Sequence, residues 1–248
     1  MKNSELKQTA FSFAVNTDLG RDDFMVSDCN REAFALVDAW PDWSGNGLFV
    51  FGPEGSGKTH LAHMFVEKLD ALQVIKKKVP IYDSRQINMQ NIERICSASD
   101  AIVVENLCEN IQQEALFHLF NYFTSSGHYS LWTASVAPSR LNLSLKDLQS
   151  RLNMLTCVEI KEPDDMMLRA LVVKLFNDRQ IAISPEILEY IITNTERSFS
   201  YVERLVAEID EISLAYKTAV NYKVVKEALE NLQIAENKEP DLFNFLKG

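Results

Sequence analysis

The octapeptide Gly52-Pro53-Glu54-Gly55-Ser56-Gly57-Lys58-Thr59 constrains the fold of this chain more than any other stretch. It fits the pattern G-x-x-x-x-G-K-[ST], follows the apolar run Leu48-Phe49-Val50-Phe51, and precedes an amphipathic run from Lys58 to Leu69. A loop of this composition between a strand and a helix is a cradle for phosphate. Its glycines let backbone N–H groups curl around phosphate oxygens, and the helix N-terminus adds a favourable dipole. Lys58 supplies a charge for the β- and γ-phosphates, and the Thr59 hydroxyl is suited to ligate Mg²⁺.

The rest of the pattern extends this unit. Short β-rich runs at Leu48 to Phe51, Val79 to Tyr82, Ala101 to Val104, Ser130 to Thr133 and Thr156 to Ile160 alternate with helical segments. Those segments lie near Lys58 to Leu69, Arg85 to Ser97, Gln112 to Phe123 and Leu145 to Gln149. Alternation of this kind predicts an α/β fold, a parallel sheet of five strands with flanking helices. After Ile160 only helical patterns remain, and Lys161-Glu162-Pro163 is a candidate hinge, since proline cannot continue a strand ladder. Asp164 reads as an N-cap, Ser184-Pro185 as a cap followed by proline at the first helical position, Ser200 to Glu203 as a capping box, and Asn221 as a last cap. The expected organisation is a segment 1–19, an α/β domain 20–162 and a small all-α lid domain 163–248.

Composition decides what the fold is not for. The chain of 248 residues carries 25 Lys and Arg against 35 Asp and Glu, a formal charge of -10, which disfavours autonomous DNA binding. Cys29, Cys96, Cys108 and Cys157 lack C-x-x-C spacing and read as buried or neutral thiols of a reducing compartment. The N-terminus lacks the apolar core of a signal peptide, and no apolar run approaches the length of a membrane span, so the expected location is cytoplasmic. His60 and His63 have no acidic third ligand at metal spacing, and Phe117, Phe120 and Phe123 read as core.

The run Asp100-Ala101-Ile102-Val103-Val104-Glu105-Asn106 supplies the second element of a nucleotide site, an acid at the tip of a buried strand. Glu105 takes the metal side. Asn106 stands where a carboxylate would polarise the attacking water, and an amide cannot accept that proton, so intrinsic hydrolysis is expected to be weak.

Taken together these residues resemble the AAA+ ATPases, and among them the DnaA-related regulators of the Hda type. The likeness is carried by Gly20 to Val26 with Asn30, by Trp40-Pro41-Asp42-Trp43, by Gly57-Lys58-Thr59-His60-Leu61-Ala62-His63, and by Leu148-Gln149-Ser150-Arg151-Leu152. The resemblance implies ADP or ATP as ligand, held by Gly52, Gly55, Ser56, Gly57, Lys58, Thr59, His60 and Phe24, with Mg²⁺ at Thr59 and Glu105. It implies that Arg151, after a short helix and before the last strand, is an arginine finger acting in trans on ATP bound to DnaA. It further implies a homodimer as one assembly. Gln8-Thr9-Ala10-Phe11-Ser12-Phe13 looks like a motif for the replication sliding clamp, with Phe11 and Phe13 as apolar anchors and Gln8 as the directional hydrogen-bonding group. Two positions depart from the family: Ser200 stands where such lids carry a phosphate-sensing arginine, with Arg197 and Arg204 nearby, and Ser135 where relatives have an acidic or amide group. The functions left open are a regulator of replication initiation, an autonomous P-loop ATPase or small-molecule kinase, and a helicase-loader-like adaptor.

Overall fold

A computed structural model describes residues 24–73, 75 and 77–245, with side chains as far as residue 234. The clamp-motif residues Gln8, Phe11 and Phe13 lie outside the described residues. The chain runs α1 (Arg31–Asp38), β1 (Gly47–Phe51), α2 (Lys58–Ala71), β2 (Ile81–Asp83), α3 (Ile92–Ala98), β3 (Ala101–Leu107), α4 (Gln113–Ser125), β4 (Tyr129–Ala134), α5 (Lys146–Asn153) and β5 (Thr156–Glu159). Four further helices follow: α6 (Asp165–Asp178), α7 (Pro185–Asn194), α8 (Phe199–Tyr216) and α9 (Tyr222–Phe245).

The five strands form one parallel sheet in the order β2-β3-β4-β1-β5, as the alternation predicts. In β1, Leu48 pairs with Leu131 of β4 on one side and with Thr156 of β5 on the other. Both faces are covered, so the central strands are largely apolar and neighbouring residues enter different cores. Phe49, Ile102, Val104 and Trp132 pack under α3, α4 and α5. Leu48, Val50, Val103, Leu131 and Val158 pack against α1 and α2. Each such side chain contributes about 1.5–3 kcal/mol of transfer free energy. A separate core built from Val172, Phe176, Leu205, Ile209 and Val225 holds α6 to α9 together.

Local chemistry sets the helix ends. Asp164 Oδ1 accepts from the Met167 N–H at 2.7 Å, Ser184 Oγ from Ile187, and Asn221 Oδ1 from Lys223 and Val224, as read from the sequence. The start of α8 differs, since its cap is Ser198, whose Oγ accepts from the Tyr201 N–H at 3.3 Å. Ser200 therefore lies inside the first turn, and the capping box read at Ser200 to Glu203 is displaced by two residues. The helix expected over Arg85 to Ser97 is also shorter. A 3-10 turn at Ser84–Gln86 is capped by Asp83, and α3 begins only at Ile92, because Asn88 and Asn91 bond each other's backbone N–H groups in the intervening turn.

All four cysteines are free, and Cys157 is exposed on the edge strand, not buried. Burial pushes the thiols of Cys29 and Cys96 up, so they are neutral near pH 7. Phe120 and Phe123 are core residues and Phe117 packs partly buried against the same core. Among the described residues no helix is long and apolar enough to cross a membrane.

Candidate nucleotide site

The sheet places its chemistry at the carboxyl ends of β1 and β3, where open parallel sheets bind ligands. The loop between β1 and α2 turns through Gly55 and Gly57, both in the left-handed region at φ 73° and 92°. A Cβ at Gly55 would stand 2.9 Å from Phe199 Cβ and 3.0 Å from the Ser200 backbone nitrogen, so the loop touches the first turn of α8 with no atom to spare. A Cβ at Gly57 would stand 3.1 Å from the Phe24 ring, which stacks on Phe34 and meets His60 edge-on at 5.1 Å.

Lys58 opens α2 and is half-buried. Its ammonium donates to the carbonyl oxygens of Gly52 at 2.9 Å and Pro53 at 2.7 Å. Besides offering a charge for phosphate, this lysine stitches the loop to itself. Burial lowers its pKa, while the charges of Glu54 and Glu105 act in the opposite sense.

Loop and C-terminal helices enclose a cleft of about 460 Å³. Its apolar lining is formed by Phe24, Met25, Met167, Leu171 and Phe199. Its charged lining comes from Lys58 and Glu54 of the loop, Lys174 and Asp178 of α6 and Glu203 of α8. Desolvation first, and then the neighbouring Glu54, raise the pKa of Glu203 although its side chain reaches solvent, with Arg179 opposing them. Asn30 lines the cleft and shapes its wall: Nδ2 donates to the Met25 carbonyl at 2.8 Å and Oδ1 accepts from the Ser27 N–H at 2.9 Å. Gly55, Ser56, Gly57, Thr59 and His60 line the cleft; Gly52 is not among the lining residues and accepts from Lys58.

At the tip of β3 the register against β4 slips between Val104 and Leu107, and Asn106 takes φ 58°. Asparagine is among the few residues that tolerate this conformation. Its N–H donates to Thr133 Oγ1, its carbonyl accepts from Ser84 Oγ, and its side-chain Nδ2 donates to Asp83 Oδ2 at 2.9 Å. Arg85 donates to the same Asp83 carboxylate through Nε at 2.8 Å and Nη2 at 2.6 Å, which holds Asp83 well below the usual carboxylate range.

Glu105 directs Oε1 into a buried position with no hydrogen-bond partner. A divalent cation fits these donors, since Mg²⁺ takes one or two protein oxygens and completes its shell with phosphate and water. Thr59 and Glu105 would hold it, and the ion would neutralise phosphate charge. Among the described residues no three His, Cys, Asp or Glu side chains cluster as a metal site of their own.

Arg151 lies in the last turn of α5, not after it, and its side chain is exposed and outside the cleft. Among the described residues no hydrogen bond or ion pair engages its guanidinium. Met154, three residues on, is 74% exposed. Arg197 pairs with Asp165 at 2.7 Å, and the Arg204 guanidinium stands 5.6 Å from the Tyr201 ring; neither lines the cleft. Sequence reasoning missed Lys174, Asp178 and Glu203. Their signal, one charged residue per turn on faces otherwise apolar, is shared by any solvated helix edge.

Residues 15–159 match the family profile of the bacterial DnaA ATPase domain. The chain is 24% identical over 236 residues to the chromosomal replication initiator protein DnaA of Flavobacterium psychrophilum, an alignment covering 87% of this chain and 49% of that protein. It spans about half the length of such curated relatives. Its fold is similar to the crystal structure of domain III of DnaA from Thermotoga maritima, with a TM-score of 0.76 at 19% identity, covering 87% of this chain and 97% of that one. It is also similar to AMPPCP-bound DnaA from Aquifex aeolicus, with a TM-score of 0.63 at 20% identity over 92% of this chain and 72% of that one.

Proposed function

This chain belongs to the bacterial DnaA ATPase-domain family, and from that premise we propose that it is a nucleotide-binding AAA+ regulator of DNA replication initiation. In this reading it binds ADP or ATP with Mg²⁺, docks on the sliding clamp through Gln8, Phe11 and Phe13, and supplies Arg151 to hydrolysis of ATP bound to DnaA. The observation that carries it is the contrast between two positions. Asn106, at the place of a water-activating carboxylate, is an amide already bonded to Asp83, whereas the exposed Arg151 guanidinium is uncommitted among the described residues. A nucleotide site poor in its own general base, on a chain that also presents an outward-facing cation, suits a protein whose output is a partner's hydrolysis. The AMPPCP-bound DnaA relative supports adenine nucleotide as the ligand class.

The test is phosphate release from ATP-bound DnaA mixed with this protein, with and without DNA-loaded clamp. Stimulation that needs both, and that falls with Gln8→Ala or with Phe11→Ala and Phe13→Ala together, is the expected result. Stimulation indifferent to the clamp would remove the docking step. Multiple-turnover hydrolysis by this protein alone, abolished by Lys58→Ala, would favour an autonomous ATPase instead.

A further inference from the structure

Two carboxylates enter the cleft from elements that touch each other, Glu54 from the phosphate loop and Glu203 from α8. Phe199 and Ser200 press on Gly55, the residue after Glu54. Glu203 follows them by four and three positions, so it lies on the same face of α8, one turn further on. Among the described residues, the other charged or titratable groups that share the cleft or act on Glu203 are Lys58 from the loop, His60 from α2, and Lys174, Asp178 and Arg179 from α6. The Lys58 ammonium is turned to the Gly52 and Pro53 carbonyls, and Arg179 donates to the Leu175 carbonyl at 3.0 Å and stands 3.7 Å from Asp210. Lys174 and Asp178 bring one charge of each sign. Desolvation first, and then the charge of Glu54, raise the pKa of Glu203, with Arg179 opposing them. The outer side of Glu203 is open to solvent, so a proton reaches it directly from water.

We propose that nucleotide binding in this cleft is linked to protonation of Glu203, the anionic ligand entering together with a proton taken from solvent onto a Glu203 carboxylate oxygen. The inference rests on the nucleotide site proposed above and adds a regulation to it. A phosphate chain cradled by the loop brings several negative charges to a wall that already holds Glu54, and a second ionised carboxylate there repels both. Taking up one proton removes that charge and leaves the backbone contact at Gly55 as it is. The sign follows from linkage. A group that holds its proton more tightly in the complex favours binding below its free-state pKa, and the advantage is lost as pH rises through the value in the complex. Affinity for the nucleotide is therefore highest on the acid side and declines toward alkaline pH.

The test is calorimetry of ADP and of adenosine in buffers of different ionisation enthalpy, which counts the protons taken up, for wild type, Glu203→Gln, Glu54→Gln and Lys58→Ala. The titration of ADP itself is common to all of them and cancels in the comparison. The expected result is that wild type takes up more protons with ADP than Glu203→Gln does, and that Glu54→Gln falls between them. From about pH 6 to about pH 8 the wild-type affinity should drop relative to that of Glu203→Gln by on the order of tenfold, a shift of about one pKa unit. Adenosine, which carries no charge, should show no such difference. Equal proton uptake in wild type and Glu203→Gln, with ADP binding lost in Lys58→Ala, overturns the linkage and leaves the nucleotide site standing. The same difference for adenosine as for ADP overturns it too, since the proton then follows closure of the wall and not ligand charge. ADP binding unaffected by Lys58→Ala overturns the site and the linkage together.

Discussion

The side-chain amide of Asn106 donates to the carboxylate of Asp83 at 2.9 Å, joining the tips of β3 and β2 at the mouth of the cleft. An ionised carboxylate only accepts, so Nδ2 is the end turned to β2 and Oδ1 remains to orient a polar group in the cleft. The Arg85 guanidinium on the same carboxylate keeps Asp83 charged and in place. Carboxylate and amide thus occupy adjacent strand tips, the carboxylate on the strand that does not line the cleft.

Exchanging the two groups is expected to create hydrolysis. In the double variant Asp83→Asn with Asn106→Asp the hydrogen bond is kept with its direction reversed, and aspartate tolerates the left-handed backbone at position 106. A general base placed there is worth about 10²–10⁴-fold. Multiple-turnover phosphate release by the isolated protein checks it. The single variant Asn106→Asp should gain less, because two carboxylates 2.9 Å apart in place of the present bond cannot both ionise freely. A double variant no faster than wild type would show that the missing carboxylate does not limit turnover.

Gly55→Ala should weaken nucleotide binding while leaving the sheet intact. The added Cβ meets Phe199 Cβ and the Ser200 backbone nitrogen, and φ 73° adds strain of about 1 kcal/mol. Loop and α8 must then separate. Phe199→Ala cannot rescue the variant, since alanine keeps the Cβ that clashes, and this distinguishes a backbone collision from a side-chain one. ADP affinity of the single and double variants, read beside their melting temperatures, decides the matter; full rescue by Phe199→Ala would contradict this geometry.

Much of this was legible in the sequence because it is local. The loop is continuous in the chain, its strand and helix flank it, and alternation of runs announces a parallel sheet. Strand order and the division of the sheet into two cores depend on which faces meet, which no run of residues encodes. Asn106 stands out in the sequence as an amide at the tip of an apolar strand, but its bond to Asp83 spans 23 residues and needs the β2–β3 pairing Asp83↔Glu105 to be seen. The C-terminal helices were the least legible part. Ser198 and Ser200 are equally good caps on paper, and tertiary contact between Phe199 and the loop selects the first. Lys174 and Glu203 look like solvated helix positions until the packing of α6 and α8 places them on the wall of the cleft.

Asp164 gives an acid-sensitive contribution to stability with a defined sign. The Met167 N–H, with smaller help from the Ser27 hydroxyl and the Cys29 N–H, lowers its pKa below the ordinary value of 3.8. A carboxylate depressed on folding stabilises above its unfolded pKa, and that contribution is lost as pH falls through the folded value. Asp164→Ala is expected to cost about 1 kcal/mol near neutral pH as loss of an N-cap. Asp164→Asn keeps an acceptor but not the titration, so its stability difference from wild type should shrink as pH is lowered below about 4. Denaturant unfolding at neutral and acid pH measures it; a difference independent of pH would assign the effect to packing.

Arg151 separates a regulator from an enzyme. Its side chain is exposed on α5 and outside the cleft, so Arg151→Ala should leave ADP affinity, melting temperature and clamp binding unchanged. A finger given to a partner acts on charge that develops in the partner's transition state, and stimulated hydrolysis on DnaA should fall by a factor on the order of 10³–10⁵. Arg151→Lys should not restore it, because an ammonium lacks the planar fork that bridges two phosphate oxygens. Met154, three residues on, is also exposed, and if the same partner covers it, Met154→Ala should reduce stimulation only at low partner concentration, as a loss of affinity and not of rate. The measurement is phosphate release from ATP-bound DnaA at equal clamp occupancy across the series. Were Arg151→Ala to stimulate as wild type does, Arg140, which is also exposed, would be the next arginine to test for action in trans.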